Sequence, residues 1–405
     1  MICYIKDPAK CSGCGACAQK CPKHCIRLEE NVEGFRYPII NKEQCINCGL
    51  CYKVCPFVKK ESYRVPLLVL AARTKDERVL LESSSGGIFF LLSEYVINKG
   101  GVVFGATFDE HWEVHHSFTD TIEGIAKFQR SKYVQSVIGD TYQKVKQFLK
   151  DGRTVLFSGT PCQIAGLNKF LKIKYDNLIT VDFVCHGVPS PMVWRDYLNE
   201  VISINNLDYP DTDSANDQSK ISNISFRDKT YGWKRFSLAI NAGEEGRIIL
   251  KEPLDINPYM KAFLNNIILR PSCFNCPFKR GSSGSDITIA DFWGGGLFHP
   301  SYRDDKGISL IMPYTDIGLY VINQLSFDYE LSSYRKALRC NSAIIKSHHK
   351  HPNRDIFFKN YKTKTSVIDW ILKCDDLSLF DRIVVYLLSL FDRVNSKIRY
   401  YVTKD

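Results

Sequence analysis

Short apolar runs, punctuated by glycine, proline and serine turns, set the texture of the chain from about residue 65 onward. "LLVLAAR" (67–73) and "GVVFGATF" (101–108) are continuous apolar runs of strand length, the pattern of strands buried on both faces. Between them "SSSGGIFFLLSEYVINKG" (83–100) opens on a turn and then places apolar residues at helical spacing until Gly100. The alternation continues. "RTVLFSG" (153–159) and "LITVDFV" (178–184) predict strands, while "TPCQIAGLNKFLK" (160–172) and "SPMVWRDYLNEVI" (190–202) predict helices, the second with Ser190 as N-cap. Past a polar stretch at 205–220, "ISNISFRD", "KRFSLAI" and "GRIILKE" predict antiparallel strands, "PYMKAFLNNIIL" (258–269) a helix, and "DITIADFWG" and "ISLIMPYT" further strands. From 366 the pattern is helical and amphipathic. Such tails pack on their own protein or a partner, and a minority lie in a membrane interface; the basic, aromatic ending "KIRYYVTK" keeps a peripheral membrane contact open.

Residues 1–62 differ in kind, being dense in cysteine and built on an internal repeat. The expected organisation is therefore a small cysteine-rich domain (1–62), a mixed α/β unit in two parts (63–150 and 151–350) and a helical tail (351–405). The 405 residues carry 54 Lys and Arg against 44 Asp and Glu, a net +10 that favours acidic partners or phosphate-bearing cofactors. No basic run interleaves with aromatics, so no nucleic-acid partner is expected. The start lacks a basic stretch followed by an apolar one and no window is apolar enough to span a bilayer, so a cytoplasmic location is expected. Sixteen cysteines in a reducing compartment argue for metal rather than disulfides.

Cys11, Cys14, Cys17 and Cys21, followed by Pro22, form C-x2-C-x2-C-x3-C-P, and Cys45, Cys48, Cys51 and Cys55, followed by Pro56, repeat it. This is the two-cluster bacterial ferredoxin pattern, in which three close thiolates hold one cube and the fourth reaches across to the other. One 4Fe-4S cluster is expected on Cys11, Cys14, Cys17 and Cys55, the other on Cys45, Cys48, Cys51 and Cys21. Structural zinc takes two CxxC pairs and would not use a doubled run of four. Gly13, Gly15 and Gly49 keep side chains clear of the cluster loops; Cys3 and Cys25 are expected to pack.

Of the six remaining cysteines, Cys273 and Cys276 form a CxxC pair without an adjacent partner. Cys162 and Cys185 each follow a predicted strand, at the edge where open α/β sheets gather ligands, and would complete four thiolates. The competing reading is two buried small hydrophobes, against which stand the Gly-Thr-Pro and His-Gly turns around them. Cys340 and Cys374 are expected to be structural.

In this order, "SSSGGIF", "SKYVQS", "SGTPCQIAGL", "DFVCHGVPSPMVW", "CFNCPFK" and "SDITIADFWG" resemble the beta-subunit family of coenzyme F-420 hydrogenases and dehydrogenases, which also includes reductases of chlorophyll precursors. The resemblance covers about 65–350. It implies an FAD-dependent flavoprotein unit, with Cys162, Cys185, Cys273 and Cys276 holding a third 4Fe-4S cluster. With FAD in view, Ser84, Ser85, Gly86 and Gly87 suit a pyrophosphate at a helix start, although a plain helix start reads equally well without the resemblance. Lys132, Tyr133, Gln135 and Ser136 are further FAD candidates, Lys132 as a stabiliser of reduced flavin, as are Gly159 and Thr160. A solvent loop is the alternative for the segment 132–136. His186 is a proton donor or a hydrogen-bond donor to a cluster sulfur. Arg227, Lys229 and Trp233 offer charge and a ring to substrate, or form a solvated hairpin. Asp286 and Asp291 fall out of phase and are expected in supporting roles rather than as a carboxylate pair. The expected activity is electron transfer from a low-potential donor such as ferredoxin, through the clusters and FAD, to coenzyme F-420 or an organic metabolite. The alternatives are a non-catalytic relay subunit docked on a partner enzyme, and a metal-bound scaffold without flavin.

Overall fold

The computed structural model describes residues 7–208, 220–377, 383 and 387. Cys3, most of the polar stretch at 205–220 and nearly all of the chain after 377 lie outside them, including the ending that bears on membrane contact.

Six of the predicted strands pair with two further edge strands into one eight-stranded sheet. In chain order its members are β3 (Leu70–Arg73), β4 (Val102–Phe108), β5 (Val114–Thr119), β6 (Val155–Gly159), β7 (Leu178–Phe183), β11 (Ile287–Asp291), β12 (Ser309–Pro313) and β13 (Asp328–Leu331), and in space they run β13-β3-β12-β11-β7-β6-β4-β5. The centre, β4-β6-β7-β11, is parallel; β5, β12, and β3 with β13 add antiparallel edges. Continuous hydrophobicity follows from cover on both faces. Val102, Phe104, Val155 and Phe157 face helices Thr141–Lys150 and Pro161–Leu171, while Val103, Leu156, Ile179 and Val181 face Ile88–Asn98 and Asp316–Asn323. Strands from both sides of residue 150 share this sheet, so 63–150 and 151–350 are one folding unit.

A second layer holds the antiparallel sheet β8 (Ile221–Asp228), β9 (Ser237–Ala242) and β10 (Arg247–Pro253), as their alternating pattern predicts. Helix Pro191–Ile204, capped by Ser190 as expected, packs there with Pro258–Leu264 around Trp194, Tyr197, Phe226 and Tyr259. The predicted helix over 258–269 stops at Leu264, because Asn266 takes the left-handed conformation (φ 68°) and the chain bends through buried Ile267 and Ile268 to Leu269, which bridges to Pro189. The described part of the tail packs on its own protein: Arg354–Lys359 and Val367–Asp375 join this same core, burying Phe357, Ile371 and Cys374. Among the described residues no helix is long and apolar enough to cross a membrane.

The N-terminal domain carries the hairpin β1 (Ile26–Glu30) and β2 (Arg36–Ile40) and two one-turn helices, Ala16–Gln19 and Leu50–Lys53. Each helix is entered through a left-handed glycine, Gly15 (φ 74°) and Gly49 (φ 70°), so the cysteine repeat is also a backbone repeat. The domain seats on helix Pro161–Leu171. Lys20 Nζ donates to the Phe170 carbonyl at 3.0 Å, and Gly166 lies so close to Cys14 that a Cβ there would meet its Cβ and Sγ at 3.0 Å.

Candidate redox centre

The domain interface brings the cysteines into three sets. Cys14 feels the charges of Cys17, Cys55 and Cys11, and Cys17 those of Cys11, Cys55 and, more weakly, Cys51, so the four residues expected to share one cluster lie together with Cys51 at their edge. Burial and this mutual repulsion push Cys17 up to about 12 and Cys14 and Cys55 upward. Cys21, Cys45, Cys48 and Cys51 line a cavity of about 120 Å³ at the outer end of the domain, where Cys48 is exposed. Cys25 also lines it, buried 3.4 Å from Cys21 Sγ. Cys21 thus lies with the second motif, while Cys55 feels both Cys11 of the first motif and Cys51 of its own.

Cys162 opens helix Pro161–Leu171 just after β6, and Cys185 follows β7. The one-turn helix Pro271–Asn275 carries Cys273 to the same edge, where Val188 N–H reaches its sulfur at 3.4 Å. Cys185 feels Cys273, Cys162 and Cys276, while burial pushes Cys273 up to about 11 and Cys276 up to about 12. Among the described residues no cysteine is in a disulfide, and no group of three His, Cys, Asp or Glu closes on one point as the ligands of a single ion do. Four half-buried thiols, all raised by desolvation and Cys185, Cys273 and Cys276 also by neighbouring sulfurs, are a donor set that a cationic centre would relieve by holding them as thiolates. Tyr142 lies between this set and the ferredoxin domain, its phenol sensing Cys14, Cys162 and Cys17 together.

Beyond Cys185 a cavity of about 480 Å³ opens along the carboxyl edge of the sheet, within the range of small-molecule sites. Of the expected FAD residues, Ser84, Ser85, Gly87, Lys132, Tyr133, Ser136, Gly159 and Thr160 line it. Two do not, and are corrections. Gly86 is locked into the fold, its N–H donating to Ser309 Oγ at 2.9 Å and its carbonyl accepting from Thr74, with no room for a Cβ beside the Ala72 carbonyl. Gln135 instead faces the ferredoxin domain, donating to the Ser12 carbonyl at 2.8 Å and accepting from Arg270 at 3.0 Å.

Lys132 Nζ donates to the carbonyls of Lys127 and Gln129 at 2.7 and 2.8 Å, while burial pushes its ammonium down to about 7. His186 lines the cavity as a neutral ring: burial pushes it down to about 4, Nε2 is committed to Asn266 Oδ1 at 2.7 Å, and His348 stacks on it at 3.8 Å. That geometry does not present it as a ready proton donor.

The dominant charged feature is one whose members looked separate in the sequence. Arg227, 1% exposed, grips Asp291 with two N–H groups at 2.8 and 3.2 Å, and also donates to the Ser84 carbonyl at 2.7 Å and Tyr133 Oη at 3.2 Å. Trp233 donates to the same carboxylate at 2.8 Å and stacks on Trp293, which lines the cavity. These residues belong to a buried brace rather than a solvated hairpin. Lys229 ties three carbonyls together behind it. Asp286 binds Thr180 and Thr315 and stitches strand ends, so the two aspartates form no pair, as their phase predicted. His116, Gln129, Lys234 and Trp293 also line the cavity and carry no local sequence signal. Among the described residues Arg227 Nε, His116 Nδ1 and Gln129 Nε2 are buried with no hydrogen-bond partner, which fits a polar ligand in the space they share.

Residues 152–333 match the family model for the C terminus of the coenzyme F-420 hydrogenase/dehydrogenase beta subunit, and residues 10–58 match the 4Fe-4S dicluster domain. The chain is similar to a coenzyme F-420-dependent sulfite reductase of Methanocaldococcus jannaschii, 25% identical over 199 residues, 48% of this chain and 30% of the relative. An uncharacterized protein of the same organism is 25% identical over 206 residues, 43% of this chain and 56% of that one. The aligned region thus spans under a third of the first relative and little more than half of the second. A chain of the F-420-reducing NiFe hydrogenase complex of Methanosarcina barkeri aligns with 78% of this chain and 93% of its own at 18% identity and a TM-score of 0.43. The chain thus carries, in order, a segment that matches the 4Fe-4S dicluster domain and a longer one that matches the C terminus of the coenzyme F-420 hydrogenase/dehydrogenase beta subunit.

Proposed function

We propose that the chain is an iron-sulfur flavoprotein oxidoreductase. It takes electrons from a low-potential protein donor, ferredoxin or a similar carrier, and delivers them to a two-electron acceptor, coenzyme F-420 or an organic metabolite. The observation that carries this reading is that Cys185 belongs both to the internal thiol set and to the lining of the 480 Å³ cavity. Clusters on the three thiol sets would move single electrons, and FAD in the cavity would convert them to a hydride equivalent.

The residues contribute the rest. The outer set, with exposed Cys48, faces a protein donor, and the set around Cys14 lies against the helix that carries Cys162. Ser84, Ser85 and Gly87, at the start of helix Ile88–Asn98, offer a phosphate cradle. The ammonium of Lys132 and the guanidinium of Arg227 place positive charge beside a ligand that gains negative charge on reduction. Coenzyme F-420 as acceptor rests on the family and on the name of the sulfite reductase relative.

Iron, sulfide and flavin quantitation on anaerobically purified protein tests the reading. About twelve irons and one FAD per chain are expected; about eight irons, or protein without flavin, would overturn it.

A further inference from the structure

The guanidinium of Arg270 stands between the ferredoxin thiols and the internal set, and its surroundings are unusual for a buried cation. The residue is 0% exposed. Nε donates to the Cys11 carbonyl at 2.7 Å, one terminal nitrogen to Gln135 Oε1 at 3.0 Å and the other to the Arg36 carbonyl at 3.0 Å. All three acceptors are neutral, and among the described residues no carboxylate forms an ion pair with it. The nearby acid, Glu33, is taken by Arg354 at 2.7 and 3.1 Å. The rings of Tyr37 and Phe35 close over the group at 4.2 and 5.4 Å, and a Cβ on Gly13, in the first cluster loop, would meet a terminal nitrogen at 3.1 Å.

Taking a charge out of water without a counter-charge is costly, and structures that retain one supply the opposite charge nearby. Here, among the described residues, the candidates are thiols. Arg270 acts electrostatically on Cys162 and Cys273, hydrogen-bonds the carbonyl of Cys11, and accepts the Cys273 N–H on its own carbonyl at 2.9 Å. It therefore touches one ligand residue of each neighbouring set by hydrogen bonds. Four thiolates around a 4Fe-4S cube leave net negative charge, and an added electron increases it by one with no proton required.

We propose that Arg270 is the shared counter-cation of the cluster held by Cys11, Cys14, Cys17 and Cys55 and the cluster held by Cys162, Cys185, Cys273 and Cys276, making both easier to reduce than they would be without it. This rests on the cluster assignments above. Among the described residues the outer set around Cys48 has no such buried cation, so Arg270 biases an electron entering there toward the interior.

The test is an EPR-monitored redox titration, with iron quantitation, of the full anaerobic chain as wild type, Arg270→Met and Arg270→Lys. The outer cluster signal is assigned with Cys48→Ser. Arg270→Met is expected to shift the one-electron equilibrium between the outer and the two inner clusters at least tenfold toward the outer, a 59 mV relative change, and Arg270→Lys less than threefold. A methionine variant that loads fully with unchanged relative potentials overturns the proposal. Should the methionine variant fail to load while the lysine variant loads, the charge requirement is upheld; failure of both assigns the residue to shape and overturns it. A wild-type count near eight irons removes the internal cluster from the reading, and the shift of the Cys11 cluster against the outer one then decides for Arg270 alone.

Discussion

Replacing Arg227 with methionine isolates the brace that shapes the cavity. The guanidinium makes two bonds to Asp291, one to Ser84 and one to Tyr133, and lies 4.0 Å from the centre of the Phe236 ring. Removing one partner of a buried pair costs about 3–5 kcal/mol, chiefly because the other charge is stranded. Asp291 retains 20% exposure and the Trp233 donor, which places the loss at the low end; the orphaned Ser84 carbonyl adds about 1 kcal/mol. A destabilisation of about 3–4 kcal/mol is expected from urea unfolding followed by fluorescence and circular dichroism. Because both side chains belong to one unit, Asp291→Asn should cost much less in the Arg227→Met background than alone. A loss under about 1 kcal/mol, or strictly additive losses, would refute the view that this pair is a buried structural unit. Flavin retained by the folded variant reports separately on whether Arg227 also holds cofactor.

Cys273→Ser should lose about four of about twelve irons per chain and disturb the flavin, leaving the spectra of the N-terminal pair intact; loss of all clusters would contradict a separate internal site. Asp182, buried beside Thr288 Oγ1 at 2.5 Å, is pushed up from 3.8 to about 6 by burial. The folded state then holds a proton that the unfolded state has released, so its contribution is full below about pH 4 and is lost as pH rises to about 6. Relative to Asp182→Asn, the wild type should lose about 3 kcal/mol across that window; a pH-independent difference between the two proteins would contradict it.

How much could be read before folding depends on the range of each signal. The doubled cysteine motif is local, with two or three residues between successive cysteines, and it marked the dicluster domain and the residues expected to hold its clusters. Strand runs and the Ser190 cap were equally local. β5 and β13 were missed because their edge positions relax the requirement for apolar residues, as in "VHHSFT" and "DYEL". The Asn266 stop was missed because a left-handed asparagine competes with an otherwise helical run.

The sequence by itself determined which atoms were available: two runs of four cysteines, a separate CxxC pair, cysteines at two strand ends and continuous apolar strands. Only the tertiary structure decided their addresses. Gln135 and Gly86 sit in motifs beside true cavity residues, yet one turns toward the ferredoxin domain and the other is fixed by Ser309. Arg227 and Asp291 are 64 residues apart in the chain and became a pair because β8 and β11 are brought together by separate sheets. Arg270 carries no local signal, because the charges that explain it lie in two domains. Short-range chemistry is written in spacing, whereas the energy of a buried charge depends on everything packed around it, and that packing exists only in the fold.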